Sequence, residues 1–209
     1  IIMVAINKHV MRLRAYVVFV FLAIGAGPAT AISLTFAPSD QTIGPGQQAT
    51  VDVLVSDPAG ELVAAYDFFV DYDPAVIAFD SVTFGVGLGG PADSFQDVVE
   101  DPLGRVNVSE LSVLSDLSGL QDGTSDLLLF SMTFNPASNG TSPLAFSENI
   151  LGVAGGFLGD TDGLPIALDT LGTGCVAVVP LPASVWLLGS GLLGFLSFSA
   201  KRNRKLLRN

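Results

Sequence analysis

The stretch "AYDFFVDYDPAVIAF", residues 65–79, sets Tyr66, Phe68, Val70 and Tyr72 against Asp67, Phe69, Asp71 and Asp73. Side chains of an extended chain point alternately to the two faces of a sheet, so this period of two predicts a strand with one apolar face to bury. Asp73-Pro74 interrupts it, because proline fixes φ and has no N–H to give to a ladder. The apolar run then resumes at Ala75. Upstream, "ATVDVLVSD" (49–57) places Val51, Val53 and Val55 on one side in the same way. Further strands are expected in "ISLTFAP", "AVIAFDSVTFG", "RVNVSELSVL", "LLLFSMTFNP", "PLAFSENIL", "LPIALDT" and "GCVAVV". Turn clusters separate them: "GPGQ", "DPAG", "DYDPA", "NPASNG" and "GDTDG". With no convincing helical stretch, the expectation is an all-β fold, an antiparallel sandwich of the jelly-roll or immunoglobulin-like kind. Gly85 to Pro102 is expected to be a long surface loop and a candidate binding edge.

Charge divides the 209 residues into three parts. The 20 Asp and Glu all lie between residue 32 and residue 180. Of the nine Lys and Arg, only Arg105 accompanies them, so the middle carries about 20 − 1 = 19 net negative charges. The chain nevertheless has positive mean hydropathy, with 49% hydrophobic residues. Its two ends supply that excess. A surface this acidic repels phosphate backbones, which excludes nucleic acid as a partner.

The first part reads as an export signal over residues 1–31. Basic residues at Met11 to Arg14 precede an apolar run from Ala15 to Ala26, and Ala29-Thr30-Ala31 is a small-x-small cleavage pattern. Translation is expected to start at Met3 or Met11, the Sec export machinery to be the first partner, and the mature chain to begin at Ile32. Residues 32–178 are then a single domain of ordinary size.

Several chemistries drop out of that domain. The one histidine, His9, lies in the signal, so triads that need His and zinc sites built from His and Cys are unavailable. Cys175 is the only cysteine, which excludes an internal disulfide, and its place in "GCVAVV" predicts a buried small hydrophobe. "GVGLGG" lacks the following helix and Lys of a phosphate loop. "NVS" at Asn107 and "NGT" at Asn139 are assigned to a strand and a turn. The carboxylates leave glycoside hydrolysis by two acids as one alternative. Calcium is another, with Asp71 and Asp73, or Asp160 and Asp162, offering oxygens two residues apart. "GDTDG" lacks the third acid and the closing Glu of a calcium loop, and a plain turn explains it equally well.

"SLTFAPSDQTIGPGQQATVDVLVSD", "AYDFFVDYDPAVIAFDSVTFG" and "GDTDGLPIALDTLGTGCVAVV" together resemble the cohesin-like domains of bacterial surface proteins. The most telling piece is "DYDPAVIAF", where an aromatic-rich strand runs through Asp-Pro into the next. The resemblance implies a nine-stranded jelly-roll sandwich, of the same superfamily as some carbohydrate-binding modules.

The third part, residues 179–209, resembles the PEP-CTERM sorting signals of Gram-negative bacteria. Val179-Pro180-Leu181-Pro182-Ala183 opens it, "VWLLGSGLLGFLSFSA" follows, and Lys201, Arg202, Arg204 and Lys205 form a basic stop. Leu181 stands where the family's motif has Glu. Residues 183–200 would make a helix of about 27 Å, enough to cross the apolar core of a bilayer. The basic tail would stay cytoplasmic and the acidic domain outside. Pro180 and Pro182 hold the preceding backbone extended, a form that proteases bind. The resemblance implies an exosortase-type membrane protease or transpeptidase as a partner. It also implies anchoring in the inner membrane during sorting, then the outer surface or extracellular matrix.

The expected function is thus non-enzymatic: an exported surface or exopolysaccharide-matrix protein whose sandwich binds polysaccharide or a surface protein. The only Trp, Trp186, lies in the span, so a sugar platform would have to use Tyr or Phe. The alternatives are a structural acidic matrix protein bridged by calcium and a carboxylate-dependent glycosidase.

Overall fold

The computed structural model describes residues 32–56, 61–121, 126–147 and 156–180, together with Leu187 and Ser190. The expected signal segment with Ala29 and Ala31, residues 181–183 of the expected sorting motif, the rest of the expected span and the expected basic stop lie outside them. Among the described residues no helix is long and apolar enough to cross a membrane.

Strands dominate. In chain order they are β1 (Ser33–Ala37), β2 (Asp40–Ile43), β3 (Ala49–Ser56), β4 (Val63–Asp71), β5 (Ile77–Phe84), β6 (Ser94–Asp101) and β7 (Arg105–Ser112), then, after one helical turn α1 (Ser118–Gln121), β8 (Asp126–Pro136), β9 (Gly140–Ser147), β10 (Phe157–Asp160), β11 (Thr170–Leu171) and β12 (Thr173–Val178). One sheet has the order β11-β1-β3-β8-β5. The other runs β2-β12-β9-β4-β7-β6, with β10 pairing the first half of β4.

The two sheets share one core. Val51, Val53 and Val55 of β3 are fully buried, as are Phe68 and Val70 of β4, with Tyr66 and Tyr72 nearly so. Rings from the two sheets meet in the middle: Phe36 stacks on Phe146 at 4.3 Å, Tyr66 on Phe130 at 5.7 Å, and Tyr72 tilts against Phe134 at 5.4 Å. Each large side chain sealed this way contributes about 2 kcal/mol by leaving water, which is how the fold holds without a disulfide. The sandwich expected from the alternation is what the chain builds.

Four local expectations are corrected. The loop expected from Gly85 to Pro102 contains β6, eight residues long. Only Gly85 to Asp93 turns irregularly, through bonds such as Asp93 N–H to the Gly90 carbonyl at 2.8 Å. "LPIALDT" is not a strand: Pro165 makes one isolated bridge to Gly159, and pairing resumes only at Thr170. The bridge is made by its neighbours, Asp160 N–H to the Leu164 carbonyl at 2.9 Å and Ile166 N–H to the Leu158 carbonyl at 2.8 Å, and Pro165 has no N–H to pair on its other side. Short strands at Asp40–Ile43 and Phe157–Asp160 were too brief to show a period. Cys175 is not a core residue. In β12 the alternation buries Val176 and Val178, so Cys175 faces outward, and its thiol donates to Asp40 at 3.0 Å.

Candidate functional site

The outer face of the larger sheet is built by strict register. Four rows of side chains cross β6, β7 and β4 in order: Phe95, Leu111, Ala65; Asp97, Ser109, Asp67; Val99, Asn107, Phe69; Asp101, Arg105, Asp71. Successive rows are about 7 Å apart and neighbouring strands about 5 Å, so the face is a grid of known dimensions.

Apolar groups on this grid are unusually open. Phe95 is 71% exposed and Leu111, directly opposite, 50%. Val113 continues the line at 57%, and Val99 stands two rows away at 55%. The outward positions of the other sheet are mostly short and polar, at Thr50, Asp52, Ser131, Thr133, Ser81 and Thr83, with Ser131 donating to Asp52 at 2.6 Å, and its one apolar pair there, Leu54 with Leu128, is less open, Leu128 at 36%. No aromatic ring stands exposed on it among the described residues.

Charge on the grid is partly committed. Asp67 accepts from Asn107 Nδ2 at 2.6 Å, and Asp71 accepts from Arg105 Nε at 2.6 Å and from Ser147 at 3.2 Å. The Arg105 guanidinium also lies 5.7 Å from the Phe69 ring centroid. The hydrogen bond to Asp71 raises the Arg105 pKa above its ordinary value, so the cation is permanent. Asp97 makes no such contact and stands exposed beside Phe95. An apolar anchor next to an unpaired carboxylate can seat a partner's apolar group and cation together.

The face is braced from behind. Glu110, on the inward side of β7 and 2% exposed, accepts from Tyr66 at 3.0 Å, Ser94 at 2.7 Å and Gln96 at 2.9 Å. It ties β4, β6 and β7 together beneath the Phe95 row. Burial first, then the Glu110 charge and hydrogen bond, push the Tyr66 phenol far up. At the other end Tyr72 donates to Glu100 at 2.9 Å, and burial followed by that bond pushes its pKa up to about 12. Gln121, buried on α1, bonds both backbone groups of Val63 and the Gly87 carbonyl, pinning the loop beside β6.

The calcium candidates are not brought together. Asp71 sits at the end of β4 and is held by Arg105, whereas Asp160 pairs with Val63 at its start, about 26 Å away along the strand. Asp73 caps its own turn by accepting from Ala75 N–H at 2.9 Å. Asp160 accepts from Asp162 N–H at 2.9 Å and Leu164 N–H at 2.8 Å, and Asp162 is exposed. Among the described residues no three His, Cys, Asp or Glu side chains form a metal-holding group. Of the sorting motif, Val179 donates to Ile43 at 2.9 Å and Pro180 is exposed. The expected motif therefore begins directly after β12. Phe95, Asp97 and Leu111 escaped the sequence reading because they lie in, or pair with, the stretch read as a loop. The acids and glycines there did mark it as a candidate binding edge.

The family model for the cohesin domain matches residues 35–162. Solved structures share the fold at low identity. The sixth cohesin of scaffoldin B from Acetivibrio cellulolyticus, in complex with Cel5 dockerin, is 18% identical over 72% of this chain and 100% of that one, with a TM-score of 0.56. A type I cohesin–dockerin complex of Clostridium thermocellum, Coh-OlpA-Doc918, gives 19%, 72%, 100% and 0.54. A type II cohesin domain from the cellulosome of Acetivibrio cellulolyticus gives 17%, 71%, 95% and 0.58. No curated protein sequence matches.

Proposed function

The chain belongs to the cohesin family, and on that premise we propose that it is an exported, non-enzymatic docking module that captures a protein partner on the outer face of its larger sheet. The observation that carries this reading is the Phe95, Leu111 and Val113 line, open to solvent on a braced strand pair and flanked by the unpaired Asp97. Large exposed apolar side chains in one line on a rigid sheet mark interaction sites, and aromatic anchors carry most of the affinity of such interfaces. The partner matched to this face presents an apolar group with a Lys or Arg beside it. Dockerin is the partner in the complexes of similar fold, so a dockerin-type module is the first candidate.

The reading extends to how the module reaches its place. Export by the signal in residues 1–31 and sorting through Val179-Pro180-Leu181-Pro182-Ala183 rest on the order of parts in the sequence. An exosortase-type enzyme would act on the proline-flanked segment just beyond β12, where Pro180 is already exposed. The domain would end on the outer surface or in the surrounding matrix.

Titration calorimetry of the purified full chain against a type I and a type II dockerin tests the docking face. Binding by either is expected to weaken about 30-fold in Phe95→Ala and to be lost in Leu111→Asp, since one anchor in a pocket is worth about 2 kcal/mol. Unchanged affinity in both variants, or heat of binding to neither dockerin, would sink the dockerin reading of this face.

A further inference from the structure

The geometry points to a second mode of recognition, distinct from the face and carried by backbone: the free edge of β6 adds one extended, basic segment of a partner protein as a further antiparallel strand. The sheet order ends on β6. The four terminal strands of the two sheets differ in how they are protected. β2 has four residues and β11 two, too short to template pairing. β5 is irregular, with its register shifted between Phe79 and Ser81. β6 pairs with β7 through all eight residues without a shift and contains no proline.

Its second half is solvent-exposed beyond its pairing with β7 and the Tyr72 hydroxyl bond to Glu100. Asp97, Val98, Val99, Glu100 and Asp101 are all exposed, although Val98 and Val99 point to opposite faces. The hairpin turn tells which backbone groups are free. Gly104 N–H bonds the Asp101 carbonyl at 3.0 Å, so Asp101 faces β7. Hydrogen-bonded pairs in an antiparallel ladder alternate, which turns Val99 and Asp97 toward β7 and leaves the N–H and C=O of Val98 and Glu100 pointing away from the sheet. Tyr72 N–H bonding the Gly104 carbonyl at 2.8 Å is consistent with this phase on the neighbouring strand.

Charge selects the occupant. Asp97, Glu100 and Asp101 lie within five residues, and Arg105, the one cation of the described residues, is engaged with Asp71. A second copy of this strand would set acid against acid, so the edge rejects its own kind. A segment paired antiparallel would place cations opposite Asp101, Glu100 and Asp97 and apolar groups opposite Val99 and Val98. Read from its N-terminus it is basic, basic, apolar, apolar, basic. Main-chain bonds supply affinity in this mode, and the cross-strand pairs supply register.

The test uses fluorescein-labelled acetyl-Thr-Lys-Lys-Val-Val-Lys-Thr-amide and fluorescence anisotropy with the full chain at low ionic strength. Saturable binding is expected, at least tenfold weaker for the same peptide N-methylated at alternate residues and at least tenfold weaker for Val98→Pro. That substitution removes an outward N–H and leaves the bonds to β7 in place. If Val98→Pro does not fold, the methylated peptide decides the matter alone. No binding up to millimolar peptide, or equal binding of the methylated and unmethylated peptides, overturns strand addition; the latter would leave attraction between charges as the whole effect.

Discussion

Glu110 and its neighbours carry the chemistry that distinguishes this core from a purely apolar one. A carboxylate with no cation is tolerable inside a sheet pair because three donors, from β4 and β6, reach its two oxygens. Its effect on the Tyr66 phenol, like that of Glu100 on Tyr72, has a readable consequence. The described residues contain no Lys and no His, and Arg105 keeps its charge, so between pH 9 and 12 their titrating side chains are Tyr66, Tyr72 and Cys175. All three have pKa values raised in the folded chain: both phenols mainly by burial, Cys175 mainly by its bond to Asp40. A group with a raised folded pKa binds its proton more tightly when folded. Stability is therefore whole below the unfolded pKa and falls as pH rises toward the folded one. Denaturation midpoints should drop steadily from about pH 9, the unfolded thiol first and the unfolded phenols from about pH 10. In Tyr66→Phe the decline should be shallower, with a loss of about 1–2 kcal/mol at neutral pH from the broken bond to Glu110. Absorbance at 295 nm should show Tyr66 ionising only as the fold is lost. A midpoint flat from pH 9 to 12 would contradict the buried-phenol picture. Cys175 shows how narrow sequence reading is at this scale: one step of the alternation separates it from buried Val176.

At the scale of elements, the β6–β7 hairpin is decisive, since it supplies two of the three strands of the docking face and the whole of the free edge. Its turn depends on Gly104, whose φ of +97° is left-handed. A Cβ there would run into the Tyr72 carbonyl oxygen and the Pro74 ring. Gly46 is a useful contrast, with φ at +79° and nothing within 4 Å of a built Cβ. Substituting Ala is expected to cost about 1 kcal/mol at Gly46, from backbone strain alone, and about 3 kcal/mol at Gly104, where a clash is added. Urea denaturation of the two variants measures the difference, and equal losses would mean that the hairpin tip yields freely. β4 was legible because it is buried on one side only, so its apolar and polar residues separate cleanly by period. β6 was not. Phe95 and Val99 share their face with Asp97 and Asp101, and Val98 shares the other with Gln96 and Glu100, because an edge strand wet on both sides needs no apolar face.

At the scale of the whole molecule, the cohesin family model covers residues 35–162, and the segments that flank the domain carry the export and sorting proposal. The sorting proposal predicts that protein recovered from the surface of its native producer ends near Pro180 to Ala183. Intact-mass measurement decides it: full-length chain retaining Trp186 and the basic tail in the inner-membrane fraction would make the segment a permanent anchor. The sequence by itself determined the class of fold, the acidic character of the domain, a single cysteine that can form no internal disulfide, and the inward set of β3 and β4. These follow from composition and from a period of two, both of which are local properties. Tertiary structure alone decided which strands are neighbours. Asp97, Ser109 and Asp67 form one row, and Phe95 meets Leu111, only because β6, β7 and β4 align in register. It also separated Asp71 from Asp160 to opposite ends of β4 and left β6 without a neighbour on one side. Pairing between strands distant in sequence is fixed by the packing of two sheets around one core, a balance of burial and register that no short window of residues contains.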